Sequence, residues 1–447
     1  MIQLAPHRKI SGELTLPGDK SISHRAALMS LLCSEPIKIR GYADNADCQT
    51  TLDAVQKLGV HVKKETDQSL TLTPGQTDES GTIEIDCGNS GTTARLMTGL
   101  LAGKGISARL SGDESLSKRP MRRVVDPLEQ MGAKFEMNDD RLPLVIAGAA
   151  RSSIDYRLPT PSAQIKSAVL LAACSGGVTA VVTEDTITRD HTERMLRHLG
   201  ANIDLRSPRI EMEIDSHDPR KKRRVVQDDW KKQIVVRGNG ALTAAEIDIP
   251  GDISTDAFFL AAGAIGRGEI TIHNIGLNPT RTAFLDYLVS IGCDVAISNR
   301  SVVSEEPRGT IKLSGAQLKG RKISGQSTAS LIDEIPIIAV IACFANSTTV
   351  IRDAAELRVK ESDRIESIAK NLRKMGAKVG VLEDGMVIET EGELQPADFE
   401  SFGDHRIAMA MSVASLFLPG NSTLDNESCI NVSCPGFYDY LGQIKAH

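Results

Sequence analysis

A short phrase that recurs along the chain limits its fold more than any other feature. Each copy reads as the end of a helix, an apolar residue, a glycine and then a strand-like stretch, as in AVQKLGVHV and NLRKMGAKV. Glycine just after a helix adopts the left-handed conformation that ends it. A regular repeat of this kind indicates an array of similar α/β units. The clear copies place at this position Gly59, Gly132, Gly200, Gly292 and Gly376.

The ends of the chain are expected to meet. A sixth copy of the phrase, DYLGQI with Gly442, has no strand after it, and we expect the N-terminal segment KISGELTLP at 9–17 to supply one. The phrases PGDKS at 17–21 and PGDIS at 250–254 resemble each other and are natural points for the chain to cross between domains. We therefore predict one domain of three repeats at 20–248 and a second at 1–19 plus 249–447.

Each repeat also contains a helix that is apolar on almost every face, for example SAQIKSAVLLAAC and IPIIAVIACFA. Such a helix is buried, and these runs are too short to span a bilayer. Stretches such as GTIEID and GTIKLSG alternate or are β-branched, which suits sheets with one exposed face. The predicted fold class is α/β, with two domains that each enclose three buried helices within sheets.

The composition narrows the classes of function. A net charge of −6 gives no general attraction to nucleic acid or to acidic membranes, and we expect neither as a partner. The start, MIQLAPHRKI, lacks the apolar region of a secretory signal, so we expect a cytoplasmic protein. The eight cysteines show no CxxC or zinc-ligand spacing, which favours reduced, buried thiols and predicts no metal site.

Polar residues gather at the starts of the apolar helices, in phrases such as GDKSISHR, CGNSGTT and FGDHR. Ser, Asn and Asp at a helix start cap free backbone N–H groups, and the same end of a helix binds anions. Capping does not require cations there, and the helix dipole disfavours them, so added cations indicate anion binding. The cations near these starts are Lys20, Arg25, Arg95, Lys166 and Arg406.

Two further basic segments stand out. Arg119 precedes a proline in GDESLSKRPM, and Lys360 and Arg364 flank the start of a predicted helix in ELRVKESDRIES. A solvated charged helix is the alternative interpretation of the second segment. The basic run PRKKRRVVQDDWKK at 219–232 falls in the widest gap between repeats, and we interpret it as a surface insertion rather than a nucleic-acid-binding patch.

The carboxylates Asp333, Glu334 and Glu361 are available for proton transfer beside these cations. Complete P-loop, GxGxxG and HExxH patterns are missing, which disfavours an ATPase, a dinucleotide-dependent enzyme and a zinc protease. The residues alone therefore indicate an enzyme or binding protein for small polyanions.

The phrases PGDKSISHR, GNSGTTARL, SLSKRPM, SAQIKSA, ELRVKESDR and GDHRIAMA, in this order, resemble those of the 5-enolpyruvylshikimate-3-phosphate synthases. The resemblance covers nearly the whole chain. It implies a pair of inside-out α/β barrels, each of three βαβαββ units. It also implies transfer of the enolpyruvyl group of phosphoenolpyruvate to shikimate 3-phosphate, with no cofactor, and inhibition by glyphosate at the phosphoenolpyruvate site. We further expect a monomer.

The resemblance also implies which residues act. For shikimate 3-phosphate these are Lys20, Ser21, Arg25, Ser162, Ala163, Gln164, Arg189, Asp333 and Lys360. For phosphoenolpyruvate they are Lys20, Asn89, Gly91, Arg119, Gln164, Arg364 and Arg406, with Arg95 helping to organise the loop. Asp333 would take the hydroxyl proton, and Glu361 would protonate C3, with Lys20 as the alternative donor.

The chain departs from some members of that family at two positions. Val432 stands where some carry a lysine that contacts phosphoenolpyruvate, and Glu356 stands where some carry asparagine. Because the site residues come from both predicted domains, we expect a hinge near 19–20 and 249–252, with like-charged walls that repel until an anionic ligand enters.

Two other functions stay open at this point. A UDP-N-acetylglucosamine enolpyruvyl transferase would share the fold and the donor, but it looks different at its start and uses a cysteine on a mobile loop. PGDKSISHR and the SAQ phrase favour shikimate 3-phosphate instead. A non-catalytic protein that binds RNA or small anions would need only the basic residues.

Overall fold

The structure, a computed structural model, describes residues 1–66, 68–78, 80–207, 210–214, 222–226, 231–238, 240, 242–243, 245–389 and 393–445. Its helices, in chain order, are α1 (Lys20–Met29), α2 (Ala46–Lys57), α3 (Gly91–Lys104), α4 (Glu114–Ser117), α5 (Arg122–Gln130), α6 (Ala163–Gly176), α7 (His191–His198), α8 (Ile253–Gly266), α9 (Ala283–Ser290), α10 (Gln326–Leu331), α11 (Ile335–Cys343), α12 (Arg364–Lys374), α13 (His405–Ser415) and α14 (Phe437–Gln443). Short 3₁₀ helices cover Ser30–Leu32, Ala355–Val359 and Ser428–Val432.

The strands are β1 (Ile2–Leu4), β2 (Gly12–Thr15), β3 (Ile37–Arg40), β4 (His61–Thr66), β5 (Ser69–Thr73), β6 (Ile83–Asp86), β7 (Ala108–Ser111), β8 (Lys134–Met137), β9 (Leu144–Gly148), β10 (Ile154–Arg157), β11 (Thr179–Glu184), β12 (Asn202–Arg206), β13 (Ile210–Ile214), β14 (Lys222–Val226), β15 (Lys232–Arg237), β16 (Glu246–Asp248), β17 (Glu269–Gly276), β18 (Asp294–Val303), β19 (Glu306–Ser314), β20 (Lys322–Ile323), β21 (Thr349–Ile351), β22 (Lys378–Leu382), β23 (Gly385–Glu389), β24 (Asp398–Phe399) and β25 (Ser422–Leu424).

The repeated unit is visible in the sheets. In the sheet ordered β6-β7-β9-β8, the first pair is parallel and the other two pairs are antiparallel, and the chain runs β6–α3–β7–α5–β8–β9. The sheets β10-β11-β15-β12 and β20-β21-β23-β22 follow the same pattern. These are βαβαββ units, as predicted.

Two strands are exchanged where the chain crosses between sheets. Strand β2 leads along the chain into α1 but pairs in parallel with β17, and β16 leads into α8 but pairs in parallel with β3. The segment at 9–17 was expected to complete the sixth unit, and this was wrong, because its strand β2 completes the fourth. Strand β1 pairs with β25 and completes the sixth unit.

The buried apolar residues form two clusters. One comes from residues 22–249 and includes α1, α3 and α6. The other comes from residues 4–16 and 253–444 and includes α8, α11 and α13. These six helices are buried along most of their length, as expected for helices that are apolar on every face. We refer to the parts of the chain around the two clusters as the first half and the second half.

The repeated glycines end helices as predicted. Each follows the last residue of α2, α5, α7, α9 or α12 by two positions and has a positive φ, between 79° and 116°. The proposed sixth copy was wrong, because Gly442 lies within α14 and is not among the residues with positive φ.

The basic run at 219–232 lies mostly outside the described residues. Its strand β14 pairs antiparallel with β13, and the chain returns as β15. Within the ranges described above, the model has no helix that is both long and apolar enough to cross a membrane.

Candidate functional site

A cavity of about 640 Å³ lies between the halves. The starts of α1, α3 and α6 line it from the first half, and the starts of α8, α11 and α13 line it from the second. The predicted gathering of helix starts is therefore present. Five of these starts are capped by a side chain that accepts from a backbone N–H two or three residues later, namely Asp19, Ser90, Ser162, Asp252 and Asp404.

Most of the sequence-predicted site residues line this cavity. They are Lys20, Ser21, Asn89, Gly91, Arg95, Arg119, Ser162, Ala163, Gln164, Arg189, Asp333, Lys360, Glu361, Arg364 and Arg406. They come from both halves, so residues separated by more than half the chain face one space.

Two of the predicted cations point elsewhere. The guanidinium of Arg25 donates to Thr192 Oγ1 at 2.7 Å, to Ser167 Oγ at 3.0 Å and to the Ser21 carbonyl, and Arg25 does not line the cavity. Lys166 is fully buried, with its Nζ 3.0 Å from Glu184 Oε1 and 2.9 Å from Glu193 Oε1. Lys166 therefore balances two buried carboxylates, and the expectation that it belongs to the anion site was wrong.

Glu361 is held as a carboxylate by arginines from both halves. Its Oε2 lies 2.6 Å from Arg364 Nη2, and its Oε1 lies 3.4 Å from Arg119 Nη1. Burial alone would raise the pKa of Glu361, but these guanidiniums outweigh burial and hold the pKa well below its usual range. Arg364 is oriented in turn by Asp404, whose Oδ2 accepts from Arg364 Nε at 2.7 Å.

Asp333 lies just before α11 and also has cationic neighbours. Its Oδ2 accepts from Arg189 of the first half, and its Oδ1 is 3.7 Å from Arg364 Nη1. Its backbone carbonyl accepts from Arg406 Nη1 at 2.9 Å. The Asp333 carboxylate thus stands where side chains of both halves meet.

The two lysines of the cavity each pair with a carboxylate that belongs to the same half. Lys20 Nζ lies 3.1 Å from Asp47 Oδ2, and Lys360 Nζ lies 3.5 Å from Glu356 Oε1. Glu356 also accepts from Arg123 of the first half, at 3.1 Å. Burial lowers the pKa of Lys360 to about 8, and the Glu356 carboxylate offsets part of that effect.

The loop before α3 is tied to the neighbouring helix starts. Asn89 Oδ1 accepts from Arg119 Nη2 at 3.2 Å, and Arg95 Nη1 donates to Gln164 Oε1 at 3.1 Å. Burial, and then the nearby guanidiniums of Arg123 and Arg119, lower the pKa of Arg95 to about 9. These contacts are the kind of loop organisation expected of Asn89 and Arg95.

Sequence reasoning missed several cavity residues, among them Asp47, Asp252, Ser254, Arg281 and His405. The likeness of PGDIS to PGDKS could have pointed to Asp252 and Ser254, and the phrase FGDHR to His405. Asp47 and Arg281 carry no such signal, because only the tertiary fold brings them to the cavity.

Metal or thiol chemistry finds no support in these side chains. In the described ranges the model has no group of three or more His, Cys, Asp or Glu residues that could hold a metal ion. All eight cysteines fall within those ranges; they are free and buried, and none of them lines the cavity.

Comparison with known proteins agrees with these features. The family model described as EPSP synthase (3-phosphoshikimate 1-carboxyvinyltransferase) matches residues 4–231 and 220–441. A protein of Desulforamulus reducens named 3-phosphoshikimate 1-carboxyvinyltransferase is 40% identical over 446 residues, which cover 98% of each chain. A protein of the same name from Bacillus subtilis is 40% identical over 442 residues, which cover 98% of this chain and 97% of that one.

A solved structure gives the same result. The EPSP synthase of Acinetobacter baumannii, solved at 2.37 Å, matches with a TM-score of 0.81 and 32% identity, over 99% of this chain and 98% of that chain. With its repeats, its cavity and these full-length similarities, the chain belongs to the EPSP synthase family.

Proposed function

We propose that this protein transfers the enolpyruvyl group of phosphoenolpyruvate to the 5-hydroxyl of shikimate 3-phosphate and releases inorganic phosphate. The observation that carries the proposal is the cavity, where helix starts and arginines of both halves surround two carboxylates. Such a site suits two anionic substrates, because cations must offset their repulsion before they can react. The names of the relatives support the same pair of substrates.

The proposed binding residues fall into two groups within the cavity. The acceptor residues lie at the starts of α1 and α6, on Arg189, and around Asp333 and Lys360 of the second half. The donor residues lie at the start of α3, on Arg119, and on the starts of α12 and α13. The groups share Lys20 and Gln164, so the two substrates would meet beside these side chains.

The chemistry is an addition followed by an elimination. The 5-hydroxyl oxygen forms a bond to C2 of phosphoenolpyruvate while C3 gains a proton, which gives a tetrahedral ketal phosphate. The bond from C2 to the phosphate oxygen then breaks as C3 loses a proton. We propose that Asp333 takes the hydroxyl proton, since it is a carboxylate oriented by Arg189 and by its place before α11.

Proton delivery to C3 requires a protonated donor, whereas Arg364 and Arg119 keep Glu361 ionised in the ligand-free protein. The same two arginines are proposed to bind phosphoenolpyruvate. When the anionic donor takes their hydrogen bonds, they stabilise the Glu361 carboxylate less, so its pKa rises toward the range of a proton donor. Lys20, 3.1 Å from Asp47, is the alternative donor.

A UDP-N-acetylglucosamine enolpyruvyl transferase is the second candidate, and the site does not favour it. That activity was expected to use a cysteine on a mobile loop, whereas the eight cysteines of this chain are buried away from the cavity. We propose further that the enzyme acts as a monomer in the cytoplasm, which light scattering of the purified protein and localisation of a tagged copy would test.

The test is release of inorganic phosphate by the purified protein. We expect release when shikimate 3-phosphate and phosphoenolpyruvate are present together, and none with either alone. Release with UDP-N-acetylglucosamine as acceptor would instead support the second candidate. Binding of both compounds without any release of phosphate would contradict an enzymatic role.

A further inference from the structure

Arg281 lines the cavity but belongs to neither proposed group. Its side chain is 5% exposed, its Nη2 donates to Ser254 Oγ, and its Nη1 is buried without a hydrogen-bond partner. A Glu334 carboxylate oxygen lies 3.8 Å away, beyond hydrogen-bond distance, and the same oxygen already accepts from Ser254. A buried guanidinium nitrogen without an acceptor is unfavourable, so this nitrogen is prepared for an acceptor that a ligand would bring.

The backbone that carries Arg281 is firmly held. Asn278 Oδ1 accepts from the Thr280 N–H at 2.9 Å and from Thr280 Oγ1 at 2.8 Å, and the Arg281 N–H donates to the Asn278 carbonyl. Asn278 Nδ2 donates to Asp190 of the first half at 2.7 Å. The guanidinium is therefore positioned before any ligand binds, which lowers the entropy lost on binding.

The surroundings of Arg281 are cationic and lie next to the start of α1. Burial, and then the Arg281 guanidinium, lower the pKa of Arg189 to about 9, so the two arginines are near neighbours. Asp252 accepts from the backbone N–H groups of both Lys20 and Ser254, which brings the starts of α1 and α8 together. The space beside Arg281 thus borders the proposed acceptor residues.

Shikimate 3-phosphate carries two anionic groups, a phosphate and a ring carboxylate. Lys360 and the start of α6 are proposed for the phosphate, while Arg25, which the resemblance assigns to the acceptor, does not line the cavity. We propose that Arg281 Nη1 binds the ring carboxylate of the acceptor, beside Arg189 and Ser254. This inference rests on the proposed function and adds a residue that sets the specificity of the same site for an acidic ring.

The competing explanation is structural. Arg281 could serve only to balance the buried Glu334, in which case its removal would weaken the fold and leave the choice of ligand unchanged. The two roles separate when the ligand, rather than the protein, loses its charge. The carboxamide of shikimate 3-phosphate keeps the ring and the phosphate but has a neutral group in place of the carboxylate.

The experiment measures dissociation constants of both compounds by calorimetry. We expect the wild type to prefer the acid by about ten- to hundredfold, as for a hydrogen bond between charged groups, and Arg281→Gln to bind acid and amide about equally. Arg308→Gln is the matched control, because Arg308 is similarly buried at 7% exposure and pairs with Asp248 but does not line the cavity. This control should keep the wild-type preference.

A second variant guards against loss of folding. The double change Arg281→Gln with Glu334→Gln removes both charges of the buried pair, and it should also lose the preference for the acid. An undiminished preference in either folded variant would overturn the inference. That result is distinguishable from failure of the proposed function, since the wild type would still release phosphate only when both substrates are present.

Discussion

At the residue scale, Asp333 and Glu361 are two carboxylates in one cavity with separate proposed tasks. We expect Asp333→Asn and Glu361→Gln each to lower kcat by about two to four orders of magnitude, as for loss of a general acid or base. Dissociation constants should change less than kcat. The measurement is steady-state phosphate release together with calorimetric binding.

Glu400→Gln is the control for these variants, because Glu400 pairs with Lys370 and Lys374 away from the cavity. It should keep near-normal turnover. Near-normal kcat in Asp333→Asn or Glu361→Gln would remove the proposed role of that residue.

Lys360 makes the proposed acceptor site sensitive to pH. Its pKa is lowered to about 8, so the ammonium form that binds an anion is present below that pH and is lost as the pH rises through it. We expect kcat/KM for shikimate 3-phosphate to fall above about pH 8. Lys360→Arg, which stays charged to higher pH, should move this fall upward. A wild-type profile that stays flat to pH 9.5 would contradict the prediction.

Motifs predicted cavity residues well where the backbone alone decides their place. Lys20, Gly91 and Gln164 follow helix starts, and a helix start points its first residues in a fixed direction. Arg25 and Lys166 lie later in the same helices, so their direction depends on the neighbours that the tertiary fold supplies, here Thr192 and Glu193. No local pattern in the sequence carries that information.

At the scale of elements, the start of α3 combines a helix cap with the proposed donor site. A Cβ at position 91 would lie 2.5 Å from Arg95 Nη1 and 3.4 Å from Arg119 Nη1, the movable ends of two side chains. The fold should tolerate Gly91→Ala, while the donor site becomes smaller. Because glyphosate is slightly longer than phosphoenolpyruvate, we expect the ratio of its Ki to the KM of phosphoenolpyruvate to rise. An unchanged ratio would show that this glycine does not limit the site.

The contact between α3 and α6 depends on glycine for a different reason. A Cβ at Gly99 would lie 2.2 Å from the Ala168 carbonyl oxygen, and this backbone atom cannot turn away. We expect Gly99→Ala to lower the free energy of unfolding by about 1–3 kcal/mol, as for other overpacked cores. Gly442→Ala, exposed within α14 with no atom inside 4 Å, should leave stability unchanged or raise it slightly. Thermal unfolding midpoints check both, and equal midpoints for the two variants would contradict the prediction.

The order and type of the elements could be predicted from periodicity and from the repeated glycines, whereas their pairing could not. Strands β1 and β2 are short and lie close together in the sequence, but they join different sheets. Which strand fills which gap depends on where the chain crosses between the halves. That crossing is a property of the whole molecule.

For the whole molecule, we propose domains at 20–248 and at 1–19 plus 249–447. The two crossing segments run side by side, because the Asp19 N–H donates to the Pro250 carbonyl and the Asp252 N–H donates to the Pro17 carbonyl. Contacts across the cavity differ from the like-charged walls that we expected. Arginines of the first half meet carboxylates of the second in the pairs Arg119–Glu361, Arg123–Glu356 and Arg189–Asp333.

These cross-cavity pairs change the physical reason for a hinge but keep the prediction. Half-exposed ion pairs each contribute only about 0–1 kcal/mol, so by themselves they hold the halves together weakly. Bound substrate anions would contact cations of both halves at once and favour the closed arrangement. We therefore expect the radius of gyration from small-angle scattering to fall when shikimate 3-phosphate binds, with a smaller change for shikimate, which lacks the phosphate. If calorimetry confirms binding while the radius stays the same, the cavity is rigid and the crossing segments at 19–20 and 249–252 do not act as a hinge.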